Sequence, residues 1–443
     1  MIAHPDKEVV NQVKGRLRKW HSSCCTLHSA EGGCMIRRIS ACLFIALLLS
    51  GCAHPRPTPV SSGPGLAGAD WSRVEAAARG TEVAWLMVDS SGLVNRYVDE
   101  FVAPEMQKRY GIAIRRLPMR DVAAVVQDLV NQRRSARPPS GRVDLLWIRG
   151  AEFQQAREAG ALYGPWSRDL PNARLVEWPQ PSIAQDAGRP VDGYGAPWGQ
   201  QALALLYDTA RVPSPPTTMA ALEAWLRDHA GRFTYPQPPS PEGRAFLWQA
   251  FYELTGGYQQ WQGEFDEAAY AAKAGPVWGY LQRLAPLLWH EGREYPVSAL
   301  QLEELYARGE VDFSLTYNPA QVWRRVQAGE VPRTTAIYFL EHGTLAHTHY
   351  LAIPFNAPHK AAAMVVANWL ESAEVQADKA RIDIWGDLPV IGAQAVQSAS
   401  GSHASVIPAA ATTASTILRT RRLPQPPPAL AERLDRDWER LVK

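Results

Sequence analysis

Gly195-Ala196-Pro197-Trp198-Gly199-Gln200-Gln201 runs directly into Ala202-Leu203-Ala204-Leu205-Leu206-Tyr207. One Pro and two Gly make the first part a bendable connection. The unbroken apolar run that follows has no helical spacing and predicts a strand buried on both faces. Beyond it, Val212-Pro213-Ser214-Pro215-Pro216-Thr217-Thr218 forces an extended segment. Thr217 or Thr218 then caps a helix striped by Met219, Leu222, Trp225 and Leu226. The order of hinge, buried strand, Pro-rich turn and capped helix marks a crossing between two halves of the chain.

Working outward, both sides alternate strands with amphipathic helices. On the N-terminal side, strands are expected at 83–88, 112–114 and 143–148. Between and after them, helices are expected through Leu93–Val102, Val122–Val130 and 152–159, which makes a βαβαβ unit with a parallel sheet. On the C-terminal side, strands are expected at 202–207, 233–235, 311–315, 337–340 and 350–353. Helices are expected from Met219, through Phe246 and Leu254, at 277–289, at 300–307, after Tyr317-Asn318-Pro319, at 360–371, and at the end through Leu430, Leu434 and Trp438. Residues 393–416 are small and polar and read as unstructured.

At 443 residues with 46% hydrophobic content, the chain exceeds what one core serves, so two domains are expected. From Cys52 onward 39 basic side chains face 41 acidic ones, and no basic run is interleaved with aromatics, which argues against nucleic-acid binding. All five cysteines lie at or before position 52, so the rest of the chain has neither a disulfide framework nor a thiol nucleophile. From Met35, a Met-Ile-Arg-Arg start, an apolar run at 41–49 and Leu49-Ser50-Gly51-Cys52 have the form of a secretory signal at 35–51. Leu-Ser-Gly-Cys matches a bacterial lipobox, so lipidation of Cys52 and anchoring on the periplasmic side of a membrane are expected. Residues 1–34 read as an extension before the true start, and 52–70, rich in Pro, Gly and Ser, as a flexible tether.

A series of short words, in order, carries a resemblance: Val143-Asp144-Leu145-Leu146-Trp147-Ile148, Ala196-Pro197-Trp198-Gly199, Gly231-Arg232-Phe233-Thr234-Tyr235-Pro236, Tyr317-Asn318-Pro319-Ala320, Ala352-Ile353-Pro354-Phe355-Asn356 and Trp385-Gly386-Asp387. With these words the chain resembles the family 1 extracellular solute-binding proteins of ABC importers, in their YnjB-type subgroup. The resemblance implies an α/β, two-lobed type II periplasmic-binding-protein fold, each lobe a mostly parallel sheet flanked by helices, with a hinge between. The lobes would be 71–196 with 350–390, and 197–349 with 391–443. It implies a monomer that captures a small polar solute and hands it to a permease driven by a cytoplasmic ATPase, with no cofactor. At Val88-Asp89-Ser90-Ser91-Gly92 the chain departs from the subgroup and places an acidic group after the first strand.

In open α/β sheets, ligands sit beyond the carboxyl ends of strands, where helix N-termini offer free N–H groups. That rule selects Asp89, Ser90, Ser91 and Arg149 in the first half, and Tyr235, Tyr317 and Asn318 in the second. Ser90 or Ser91 serves equally as a helix cap, and pairing with Glu152 is the stronger reading of Arg149. Trp198 and Trp385 are candidate aromatic walls, while Trp147, inside an apolar strand, reads as core. With 16 Trp in the chain, most must be core. His342, His347 and His349 read as imidazoles hydrogen-bonding across the cleft, with His342 and His349 the ligand contacts. No carboxylate or thiolate beside them completes a metal site in sequence, so no metal is expected. The chain lacks Gly-x-Ser-x-Gly, His-Glu-x-x-His and Gly-x-x-x-x-Gly-Lys words. The rival readings are a secreted hydrolase using Asp89 in the same cleft and a structural envelope lipoprotein.

Overall fold

The computed structural model describes residues 70–88, 92–135, 140–381, 384–400 and 421–443. The expected leader, Cys52, the tether up to residue 69, and Asp89, Ser90 and Ser91 lie outside the described residues.

The first half builds β1 (Glu82–Val88), β2 (Ala113–Met119) and β3 (Leu145–Ile148), with β1 pairing parallel to both of the others. The crossover helix Val122–Arg134 starts where Asp121 accepts from the Ala124 N–H at 2.9 Å, satisfying one of the donors that a helix leaves free at its start. The expected first helix is present as Gly92–Arg96, continuing through a π-helical turn at Tyr97–Val102 into Ala103–Tyr110, which ends at left-handed Gly111. A helix not read from sequence, Trp71–Ala78, is capped by Asp70 and buries Val74 and Ala78 beside Lys360–Leu370.

The chain continues through β4 (Leu162–Tyr163), β5 (Gln185–Asp186), β6 (Arg189–Pro190), β7 (Gly195–Ala202), β8 (Ala204–Asp208), β9 (Phe313–Thr316), β10 (Thr335–Tyr338), β11 (Thr344–Pro354) and β12 (Arg422–Leu423). The large sheet has the order β12-β11-β3-β1-β2, with β4 and β7 also on β11. Residues 195–201, expected as a bend, are therefore a strand, antiparallel to β11, and the apolar run after them is a separate strand beyond a break at Leu203. The glycine at 199 serves packing: a Cβ there would lie 1.8 Å from Asp387 Oδ2.

A parallel sheet was expected in the second half too; its three strands, in the order β10-β8-β9, pair antiparallel instead. β9 and β10 both oppose β8 and so run parallel to each other, joined through the helix Pro319–Ala328 as in a βαβ unit. The reversal comes from β8, which enters straight from the crossing. Thr218 caps the helix Met219–Asp228, accepting from the Ala221 N–H at 3.1 Å. Residues 233–235 form no strand: Phe233 O accepts from Trp289 N–H, but Pro236, Pro238 and Pro239 remove the donors a ladder needs. Residues 393–400, expected to be unstructured, form the helix Ala393–Ser400 beside Ala373–Lys379; the remainder of that stretch lies outside the described residues.

The apolar side chains separate into cores on either side of the crossing. On β3, Leu145 and Trp147 join one cluster with Trp85, Trp198 and Met364, while Leu146 and Ile148 join another with Phe153 and Tyr350, as the period of two requires. The second half has its own core, from Leu203 and Leu205 through Phe233, Tyr235 and Phe246 to Trp438 on the C-terminal helix Pro428–Leu441. β11 crosses between them: Leu345 belongs to the second core, and Leu351 and Ile353 to the first.

Candidate functional site

At the crossing, β11 carries His347 and His349 two residues apart, hence on one face of the strand. Their rings meet edge to face with centroids 5.2 Å apart. Trp147 on β3 donates its indole N–H to His349 Nδ1 at 3.0 Å. That bond fixes the tautomer: the His349 proton sits on Nε2, which is buried and has no hydrogen-bond partner among the described residues. His347 Nε2 lies 3.2 Å from Gln201 Oε1 on β7, and its Nδ1 is likewise buried and unpartnered. Burial, followed by the nearby positive charge of Arg149, holds both imidazoles well below the ordinary histidine range. Both are neutral at pH 7.

The second half contributes the end of β9. Tyr317 packs over His347 with centroids 4.8 Å apart, and burial raises its phenol. Asn318 is a helix cap: its side chain accepts from the Gln321 N–H at 3.0 Å, and Pro319 occupies the first helical turn. Tyr317 and Asn318 line a narrow gap opposite Gln200, Gln201, Trp385 and Asp387. This gap lies between the two cores.

Behind it is a fully buried ion pair. Lys379 Nζ stands 2.8 Å from Asp387 Oδ2, and the ammonium lies 5.4 Å from the Trp385 ring centroid. Burial pushes the Asp387 carboxyl up to about 6 despite the ammonium, and lowers Lys379. A second buried carboxyl, Asp186, accepts from the Gly150 N–H at the start of the helix Gly150–Glu158, and burial pushes it up to about 7. Arg149, the residue before that helix, is exposed. Its charge is felt at Asp186, His347, His349 and Tyr317.

The structure thus brings Arg149, His349, Tyr317, Asn318 and Trp385 to one region, from both halves of the chain. Other candidates stand elsewhere. Trp198, expected as a wall, is fully buried among Trp85, Trp147 and Trp385, with centroids 5.0–5.2 Å away. Trp147 is buried too. Tyr235 sits in the second core, accepting from Trp438 Nε1–H at 3.0 Å and stacked on Phe246. His342 is exposed, 3.8 Å from Glu253, and lines a separate cavity with Tyr252 and Tyr258. Lone apolar or turn residues do not announce which face they occupy. Gln201, Asp186, Lys379 and Asp387 were not read from sequence; only the apolar setting of an acidic or basic residue hinted at the last two. Among the described residues no group of three or more His, Cys, Asp or Glu side chains is placed to hold a metal ion.

Comparison with known proteins follows the same lines. Residues 100–429 match the family described as bacterial extracellular solute-binding protein. The chain belongs to that family. Protein YnjB of Escherichia coli (strain K12) is 34% identical to this solute-binding protein over 325 residues, 73% of this chain and 83% of YnjB. Among solved structures, an ABC transporter from Clostridium perfringens superposes with a TM-score of 0.59 at 14% identity, covering 82% of this chain and 100% of that one. The spermidine/putrescine ABC transporter substrate-binding protein PotD from Streptococcus pneumoniae superposes with a TM-score of 0.57 at 9% identity, with the same coverage. Their agreement is in fold, that of the two-lobed binding proteins. As a solute-binding protein of the extracellular family, the chain acts outside the cytoplasm, and no helix among its described residues is long and apolar enough to cross a membrane.

Proposed function

We propose that this protein captures a small polar solute between two lobes and passes it, unchanged, to an ABC permease powered by a cytoplasmic ATPase. The lobes are taken as 71–196 with 350–390, and 197–349 with 391–443, and the chain as a monomer held to the membrane by lipid on Cys52. One observation carries the reading: residues from both halves, Arg149 and Trp385 on one side and His349, Tyr317 and Asn318 on the other, meet at strands that pass from one core to the other. Such a seam opens and closes by small changes at the crossing strands while each core stays intact.

Binding without turnover fits the chemistry of the seam. Its imidazoles are neutral and partnered by Trp147 and Gln201, and no hydroxyl or thiol nucleophile among the described residues is bonded to either. Titration calorimetry of the full chain against solutes of differing charge tests the reading. One saturable site per chain, with the solute recovered intact, is the expected outcome; chemical conversion of the solute refutes it.

A further inference from the structure

The capture reading leaves the charge of the solute open, and the seam bears on it. Three guanidinium groups stand near the seam: Arg324 donates to Trp385 O, Arg422 is bound to Gln200 and Glu177, and Arg149 lies next to the two imidazoles. Arg149 is exposed, and no ion pair ties it to Glu152 or to any other carboxylate among the described residues. The acid that shares its neighbourhood, Asp186, is buried and spends its carboxyl on the Gly150 N–H. The other cation within reach of His349 is Lys379, which Asp387 already neutralises. Ile148 on β3 pairs antiparallel with Tyr350 on β11, so Arg149 and His349 follow next in register on the two strands; His349 is a neutral imidazole, 95% buried, whose Nε2–H has no acceptor among the described residues.

From this arrangement we infer that the solute carries an anionic oxygen group, a carboxylate or a phosphate, received by the Arg149 guanidinium and the His349 Nε2–H. The inference rests on the capture reading and adds the class of solute to it. A guanidinium presents paired N–H donors that match two oxygens of such a group, and an imidazole N–H adds a third donor from the neighbouring strand. A solute cation meets the opposite conditions. The guanidinium repels it, Asp186 is largely protonated below neutrality, and Asp387 is committed to Lys379. Two imidazoles alone, next to a guanidinium, are a poor cage for a metal ion.

The test uses the full chain and four probes at low ionic strength: inorganic phosphate, citrate, spermidine and glucose. The two anions separate phosphate from carboxylate chemistry. Calorimetry is expected to show saturable binding of at least one anion, weakened tenfold or more in Arg149→Ala and less in Arg149→Lys. His349→Gln is expected to weaken the same anion while the circular-dichroism spectrum and melting temperature of the Arg149 variants stay those of the parent. Spermidine and glucose are expected not to saturate. Anion binding that survives Arg149→Ala, saturable spermidine or glucose binding that Arg149→Ala leaves unchanged, or no binding of either anion each overturns the inference. Spermidine or glucose binding would leave the capture reading standing, because that reading fails if the solute is converted or if its binding does not bring the lobes together.

Discussion

Replacing Lys379 by Met isolates the buried pair behind the seam. In the parent chain the ammonium and the Asp387 carboxylate are 2.8 Å apart, both without solvent contact, and the second carboxylate oxygen has no hydrogen-bond partner among the described residues. Without the ammonium, Asp387 can stay in the fold only as the protonated acid. The folded state then keeps a proton that the unfolded chain releases above the ordinary carboxylate pKa. Stability therefore falls as pH rises, by about 1.4 kcal/mol per pH unit. In the parent the same fall stops near pH 6, where Asp387 ionises beside Lys379. In the variant it continues. The gap between parent and variant is thus expected to be under about 1 kcal/mol at pH 6 and about 3 kcal/mol at pH 8, the latter near the roughly 3–5 kcal/mol typical of breaking a buried pair. Urea unfolding at the two pH values, followed by tryptophan fluorescence, measures it. A double variant, Lys379→Met with Asp387→Leu, removes the titrating group and is expected to show a gap independent of pH. A single-variant gap equal at pH 6 and pH 8 would refute the reasoning.

Two further outcomes follow from the same geometry and a third from the sequence. Trp198→Ala is expected to cost about 3–5 kcal/mol of stability, the usual cost of emptying a large aromatic site in a core; a change below about 1 kcal/mol with weakened solute binding would return Trp198 to the cleft. His347 and His349 are neutral in the fold, so below about pH 6.5 the unfolded chain takes up protons that the fold refuses, and acid costs up to about 1.4 kcal/mol per pH unit for each. Asp186 and Asp387, raised to about 7 and about 6, act in the opposite sense. His347→Asn with His349→Asn is therefore expected to gain stability relative to the parent as pH falls from 6.5 to 4.5; parallel urea midpoints across that range would contradict it. Cys52→Ser is expected to move the protein from the membrane fraction to the soluble fraction, and persistence in the membrane after signal cleavage would contradict the lipid anchor.

Much of the fold was legible where the signal is local. The caps Asp121, Thr218 and Asn318 each stand directly before an apolar-striped helix, and each accepts the backbone N–H three residues on. Strand pairing was less legible, because apolar runs do not say what they pair with. Phe233 and Tyr235 are buried as a strand would be, yet their prolines leave them outside any ladder, and β8 reads like a parallel strand until its neighbours are known to run against it. The rule that functional groups follow strand ends selected Arg149, Tyr317 and Asn318, which the structure brings into one region. Trp198 and Tyr235 were selected by position alone, and the rings of both lie in a core. His347 and His342 exchange importance for a similar reason, since one sits on a buried strand opposite Gln201 and the other on an exposed turn.

The measurement closest to the central claim is small-angle X-ray scattering of the full chain, with and without a solute that calorimetry has shown to saturate one site. The account predicts a smaller radius of gyration when the solute is bound, because the two cores draw together across β7 and β11. An identical radius in both states, with the site full, would contradict it.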